Sequence, residues 1–531
     1  MANTHKSDDY AGSHEDTKQL HSMGYAQELA RRMSGFSNFA ISFSIICIIA
    51  GGITAFQAGF SAAGGASIGI GWPLSCGFSL IVAASMGQIA SAYPTAGGLY
   101  HWSSILGGRG FGWSVAWFNM LGLVFVVSSV DVGLWQLLFV PLIGQNFLGW
   151  DPTHFIPDLT KPFAEQLSSS AYWVQAVAIA IILASQGLFN HIGIRATTLL
   201  TDFSGYLIII TAVILTICML AYAPSIDIGR LFTFTNNTGD AGGGVWPQSG
   251  SLFYAFLLGL LLPAYTVTGF DASAHTSEET RQAAVNVPKG MIRSVFWSLV
   301  FGYLMICSFV LAMPSVTDGA KQGFSVFYWL MNTVPIPGVL KTLFYIAIVI
   351  ANYLCALAGM TSLSRMVFAF ARDGGFPASK WLRHVSPSHR TPVNAIWAGA
   401  VVAFLSTIYT PQFWTLAAGC AIFLYLSYAA PIGAGMFAEG KTWTKKGPFQ
   451  LGGLSKPFAL ISCLGALLLY FVGVQPPYDA LVRYTGILLA IMAVVWFGVA
   501  RKHFPGPPTG DAIAQRQAII TAEEKAVGEA K

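Results

Sequence analysis

Long runs of apolar residues separated by short polar stretches make up most of this chain. The stretches 114–145, 204–223 and 457–474 each carry at most one charged residue. A bilayer core about 30 Å thick takes roughly 20 helical residues to cross. Backbone groups in lipid must be satisfied within the segment, which favours helices, and the two-residue alternation of strands is absent. The pattern predicts an all-α integral membrane protein with twelve transmembrane helices. They fall near 36–63, 68–92, 111–143, 171–190, 195–223, 251–277, 291–313, 338–371, 392–409, 413–435, 455–474 and 482–500. Residues 1–35 and 501–531 read as polar, mobile tails, the second able to form a helix through EEKAVGEAK.

Two predicted spans are interrupted in corresponding places. The first reads SFSIICIIAGGITAFQAGF, with Gly51 and Gly52 in mid-membrane; the sixth reads LLGLLLPAYTVTGFDASAHTSEE, with Pro263, Gly269 and Asp271 there. They open two consecutive sets of five spans, 36–223 and 251–435, with 455–500 supplying helices 11 and 12. Interrupted helices at matching positions in two halves point to inverted repeats around a midplane site. Unwinding frees N–H and C=O groups at membrane depth, where only a ligand, ion or water satisfies them. A Gly-Gly pair alone also reads as a close-packing notch. An Asp at the bilayer centre costs about 2.5–3.5 kcal/mol, which makes a purely structural Asp271 the weaker reading.

Composition agrees with the pattern: 54% of the 531 residues are hydrophobic and 10% charged, against about 25% charged in a soluble domain. Net charge is +5, and its placement says more than its size. Eighteen Lys and Arg, among them Arg31, Arg32, Arg365, Arg372 and Arg390, fall at ends that are cytoplasmic if the N-terminus is inside. Only Lys161, Arg230, Lys321, Lys341 and Arg483 fall outside. That bias predicts cytoplasmic termini in a multi-pass protein of the plasma or inner membrane. No signal-peptide pattern precedes the first span, so that span serves as its own insertion signal. The seven cysteines lie in apolar spans, where they read as packing residues.

The spans contain no paired catalytic carboxylates, His-x-x-x-His zinc pair or Ser/His dyad, so an intramembrane enzyme is disfavoured. The one GxxxxGK[ST] match, GMFAEGKT (435–442), runs off the end of an apolar span instead of joining a strand to a helix, so it does not make a phosphate-binding loop for an ATP-driven pump, and there is no recurring pore loop for a channel. No metal or cofactor is expected, and the basic loops are topology signals rather than nucleic-acid patches. The chemistry-bearing residues left in the spans are Asp131, Asp202, Asp271 and His275, with Glu278 and Glu279 at the inner end of span 6.

The motifs at these positions resemble the amino acid–polyamine–organocation (APC) superfamily. IIAGGIT (48–54) is similar to the family's Gly-Ser-Gly break, ASAYPTAGGLYHW (90–102) to its segment after span 2, and FGWSVAWFN follows in order. TGFDASAHTSEETRQAAVNVPKGM (268–291) is similar to the span-6 break, and LSRMVFAFARDGGFP (363–377) to the inner end of span 8. GPFQLGGLSKP (447–457) and ARKHFPGP (500–507) resemble the amino acid/choline transporter branch, which includes GABA and choline permeases.

The resemblance implies a LeuT-type 5+5 inverted repeat with broken helices 1 and 6, substrate held between them, and spans 3, 8 and 10 closing the cavity. Substrate contacts then fall on Ala50, Gly51, Gly52, Ile53 and Thr54, and on Tyr265, Thr266, Thr268, Gly269, Phe270 and Asp271. Free N–H groups at Gly51, Gly52 and Ile53 would take a carboxylate, and carbonyls around Tyr265, Thr266 and Thr268 an ammonium. Tyr265 falls where the family places an aromatic gate. Asp131 and Asp271 are candidate proton carriers, His275 a partner for Asp271, and Glu278 and Glu279 candidates for inner-gate ion pairs with Arg281, Arg365 or Arg372. One departure stands out: some members carry a lysine in span 5 where this chain reads GYLIIITAV. The expected activity is symport of amino acids or related zwitterions such as GABA, with protons favoured over sodium as the coupling ion. A choline- or polyamine-type carrier and an amino acid exchanger are the alternatives.

Overall fold

The computed structural model describes residues 14–528, and the regular elements among them are helices. The extreme parts of the predicted tails, 1–13 and 529–531, lie outside the described residues. Ten of the helices are long and apolar enough to cross a membrane, and two shorter apolar helices, Leu252–Thr266 and Val393–Tyr409, stand where spans 6 and 9 were expected.

The first crossing is built from α1 (Gly35–Ile46), α2 (Ile48–Thr54) and α3 (Phe56–Ala63). Then come α4 (Gly71–Ala92), the short α5 (Gly98–Gly107) and α6 (Arg109–Gly133), which continues through a π-helical stretch, Leu134–Gly144, around Pro141. Next are α7 (Ser170–Ile192) and α8 (Ile194–Ala221). A second interrupted run follows in α9 (Leu252–Gly259), α10 (Leu261–Thr266) and α11 (Ala272–His275). The longer helices that follow are α12 (Ala283–Ala312), α13 (Gly338–Arg372), α14 (Val393–Tyr409), α15 (Phe413–Ala438), α16 (Ser455–Gly473), α17 (Ala480–Val495) and α18 (Asp511–Ala526).

α6 packs along α13 and α15, and α12 lies against α1 and α4. The crossings most wrapped by protein are the first one, α6 and α15, whereas α17 is turned almost wholly outward. This gradient follows from sequence: α6 and α15 carry Gly112, Gly122, Gly133 and Gly419 where neighbouring side chains close in, and small residues permit such approach between helices in lipid.

The break in the first crossing is not where the glycines are. The left-handed residue is Cys47 (φ 36°, ψ 69°), and Gly51 and Gly52 lie inside α2. Gly51 N–H donates to Cys47 O at 2.8 Å, so the expectation of free N–H groups at Gly51, Gly52 and Ile53 is corrected. Helix start, not glycine content, sets which groups are orphaned. At this break Ile48 and Ile49 N–H and the carbonyls of Ser44, Ile45 and Ile46 have no backbone partner among the described residues.

The tails are corrected as well. Residues 14–34 are seated against the membrane domain, with Tyr25, Leu29 and Met33 fully buried. Asp16 accepts from Gln282 N–H (2.7 Å) and Ala283 N–H (2.9 Å), capping the start of α12. α18 packs on this segment: Glu524 accepts from Gln27 N–H (3.0 Å), and Arg516 donates to Gly24 O (2.8 Å).

Candidate functional site

Where the two interrupted runs face each other, a cavity opens between Ile45, Ile46 and Gly51 on one side and Tyr265, Thr266 and Thr268 on the other. Val126, Ser129 and Val130 of α6, Asn352 and Cys355 of α13 and Cys420 of α15 complete its wall. The volume is about 20 Å³, room for about one water, so an amino acid enters only if the walls part. Tyr265 stands edge-on to Phe413 with ring centroids 5.7 Å apart.

The conformation of the second break is fixed by Gly269, whose φ is +80° and whose Cβ, if present, would lie 2.1 Å from Ile45 Cγ2. Thr268 Oγ1 donates to Tyr265 O (2.9 Å), Tyr425 Oη to Val267 O (2.8 Å) and Ser42 Oγ to Phe270 O (2.8 Å). The carbonyls of Thr266 and Thr268 accept nothing among the described residues. Of the expected substrate contacts, the structure gathers Gly51, Tyr265, Thr266 and Thr268 at the cavity. It leaves Ala50, Gly52, Ile53, Thr54, Gly269, Phe270 and Asp271 out of its wall. Gly52 faces Met305, and Phe270 packs on Tyr428, ring centroids 4.9 Å apart. Helical phase explains the split, since successive α2 residues point about 100° apart.

Asp271 lies just beyond the break, fully buried. Its Oδ1 accepts from Tyr428 Oη (2.8 Å), and its Oδ2 from Asn119 Nδ2 (3.1 Å); His275 Nε2 stands 3.1 Å from the same oxygen. Tyr428 Oη in turn accepts from Gly269 N–H (3.1 Å). His275 Nδ1 faces Ala96 O at 3.0 Å. A carbonyl only accepts, so this contact calls for a proton on Nδ1, and a proton placed between Nε2 and Asp271 Oδ2 would complete the second contact. Asp131 is placed differently. It is buried beside α7, with Oδ1 accepting from Gln186 Nε2 (2.8 Å), and does not line the cavity. Asp202 accepts from Ser37 Oγ (2.9 Å), a contact between α8 and α1.

Below this pair lie two buried ion pairs. Arg365 Nε and Nη2 reach Glu279 at 3.0 Å each, and Arg372 Nη1 and Nη2 reach Glu278 at 2.9 and 2.8 Å. Ala96 N–H donates to Glu278 Oε1 (3.0 Å), so the backbone of one residue, Ala96, touches both the His275 ring and this ion pair. The N-terminal segment closes over them. The Tyr25 ring lies 3.9 Å from the Arg372 guanidinium, and Tyr25 Oη donates to Asp373 at 2.8 Å. Arg32 and Met33 N–H donate to Glu279 O (2.9 and 2.8 Å). Removing one partner of a buried, bidentate pair leaves an uncompensated charge, at about 3–5 kcal/mol.

Sequence reasoning did not find Asn119, Tyr428 or Tyr25. Asn119 ends the FGWSVAWFN motif, which was a signal; Tyr428 and Tyr25 sit in segments with no pattern that marks them.

The sequence profile of the family described as Amino acid permease matches residues 33–499. The chain belongs to that family. The permease is similar to Amino-acid permease BAT1 of Arabidopsis thaliana, 32% identical over 523 residues covering 92% of this chain and 95% of that protein. Its rice homolog is 31% identical over 527 residues, covering 94% and 97%. The GABA-specific permease of Saccharomyces cerevisiae is 25% identical over 528 residues, covering 94% and 87%. The permease is thus a multi-pass membrane transporter for amino acids and not an enzyme.

Proposed function

We propose that this permease is a proton-coupled symporter of small zwitterionic amino acids working by alternating access. Its frame would be the twelve-span, 5+5 inverted-repeat arrangement with cytoplasmic termini in the plasma or inner membrane. The observation that carries the reading is the Asp271–His275 pair: a buried carboxyl and imidazole 3.1 Å apart, placed to share one proton and tied through Tyr428 to Gly269 at the break beside the cavity. Loss of that proton leaves a carboxylate oxygen facing an imidazole lone pair, which favours opening of the contact. Binding and release of a proton thereby act on the backbone that walls the substrate site. The carbonyls of Thr266 and Thr268 suit an ammonium group, which supports a zwitterion over a quaternary amine with no N–H to donate.

The test is uptake into proteoliposomes under imposed proton or sodium gradients, with amino acids, GABA and choline as substrates. The expected result is accumulation of an amino acid driven by a proton gradient. Asp271→Asn should retain substrate binding and lose accumulation, while Asp131→Asn keeps both. Sodium-dependent uptake indifferent to pH overturns the coupling, and choline as the preferred substrate overturns the zwitterion site.

A further inference from the structure

A furrow of about 580 Å³ runs down the outside of the bundle between α1, α8 and α12, away from the substrate cavity. Its walls are aromatic and aliphatic: Phe36 and Phe39 of α1, Ile209 of α8, Trp297 and Phe301 of α12. The rings are locked in stacked pairs, Phe36 on Tyr206 (5.1 Å between centroids) and Trp297 on Phe301 (5.6 Å), so the furrow is a shaped wall rather than loose side chains. One charged residue lines it, Arg293. Arg293 is exposed, as is Lys289 one turn earlier on the same face of α12. Neither has an acidic partner among the described residues; Asp202 of α8, outside the furrow's lining, accepts from Ser37.

Depth gives these cations a meaning. From Arg293 to the far end of α12 at Ala312 is 19 residues, about 29 Å at the helical rise and close to the thickness of the hydrocarbon core. Arg293 therefore stands at the level where lipid headgroups begin, with Trp297 at the depth of interfacial aromatic belts and the rest of the furrow in the acyl region. A guanidinium there is matched by a phosphate through charge-assisted, bidentate hydrogen bonds. The second cation, Lys289, favours a headgroup of net negative charge over a zwitterionic one, whose own ammonium it repels.

We propose that this furrow is a binding site for one anionic phospholipid. An acyl chain lies between Phe36 and Phe39 on one wall and Trp297 and Phe301 on the other, and the phosphate sits on Arg293 with Lys289 beside it. The site belongs to α1, the same helix that carries Ile45 and Ile46 to the substrate cavity, so occupancy bears on the movement of that helix. A cation that merely snorkels to the interface would lack both the stacked walls and a preference for one headgroup.

Native mass spectrometry of the purified full chain, titrated with phosphatidylglycerol or phosphatidylcholine, tests the site. Wild type should retain one phosphatidylglycerol in preference to phosphatidylcholine. Lys289→Gln with Arg293→Gln should weaken that retention about tenfold or more, as expected for losing charged hydrogen bonds, with Arg293→Lys intermediate. Trp297→Ala should weaken both lipids without changing their ratio. Equal retention of the two lipids by wild type, or unchanged retention by the double variant, overturns the proposal. So does a Trp297→Ala protein that holds phosphatidylglycerol as well as wild type.

Discussion

Gly269 is the residue on which the two interrupted runs depend. Its left-handed backbone alone costs a side-chain-bearing residue about 1–2 kcal/mol, and the contact with Ile45 leaves no room for a methyl group. Gly269→Ala should therefore lower the melting temperature of the purified protein and abolish uptake. The neighbouring glycines of α2 divide differently from what their sequence suggests. A Cβ on Gly51 would lie 3.1 Å from Thr266 Cγ2, whereas one on Gly52 would meet the flexible end of Met305 at 3.1 Å. Gly51→Val should block substrate binding by filling the cavity, while Gly52→Ala transports near wild-type rate as Met305 moves aside. Equal loss in both would put the α2 register in error.

Among the elements outside the spans, the N-terminal segment is the one placed to respond to pH. Glu28, half-buried in the N-terminal segment, is pushed from an ordinary value of 4.5 up to about 7 by burial; Arg372 and Arg383 pull the other way, and Glu523 and Glu278 add to the rise. Burial also raises Asp16 and Asp373. A carboxyl whose pKa is higher in the seated segment holds a proton there that it loses on release. Seating is therefore favoured at low pH and weakens as pH rises toward about 7. Hydrogen exchange of residues 14–34 should accelerate as pH rises through that window, beyond the intrinsic chemical rate, and Glu28→Gln should flatten the dependence. Protection independent of pH in wild type would show that Glu28 is already ionised when seated. Because this segment covers the Glu278–Arg372 pair, its release should also make that pair easier to part.

At the scale of the whole molecule, contacts sort the loops into two faces. The N-terminal segment, the 373–391 loop and α18 meet one another: Arg390 donates to Gln27 O and Glu28 O at 2.8 and 2.7 Å, and Glu524 accepts from Gln27. On the opposite face Arg230 donates to Met313 O (2.6 Å) and Thr235 N–H to Ala63 O (3.2 Å). Residues 14–34 and α18 on one face require an even number of crossings between them, in keeping with the twelve proposed above, and the Lys and Arg bias predicts that this face is cytoplasmic. Single cysteines introduced at 240 and 385 should report it. An impermeant thiol reagent on intact cells should label the first and spare the second; the reverse pattern would invert the topology.

The sequence by itself determined the solvent, the element type and the family. Twenty-residue apolar runs have one stable backbone solution in lipid, and motif order over most of the chain carried the resemblance. The resemblance also singled out Gly51, Tyr265, Thr266 and Thr268 as residues at the two interruptions, and a charge in mid-membrane pointed from Asp271 to His275 as a candidate partner. Only the tertiary structure decided where α2 begins. Cys47 takes the left-handed conformation, and glycine content could not show this because a permissive residue need not be the one that bends. It separated Asp131 from Asp271, two buried carboxylates alike in sequence but facing Gln186 on one side and Asn119, Tyr428 and His275 on the other. It also turned a polar N-terminal stretch into a fitted cover over the Glu278–Arg372 and Glu279–Arg365 pairs. Polar composition lowers the propensity of a segment to fold alone, but it says nothing about the buried charges elsewhere in the chain that such a segment can satisfy.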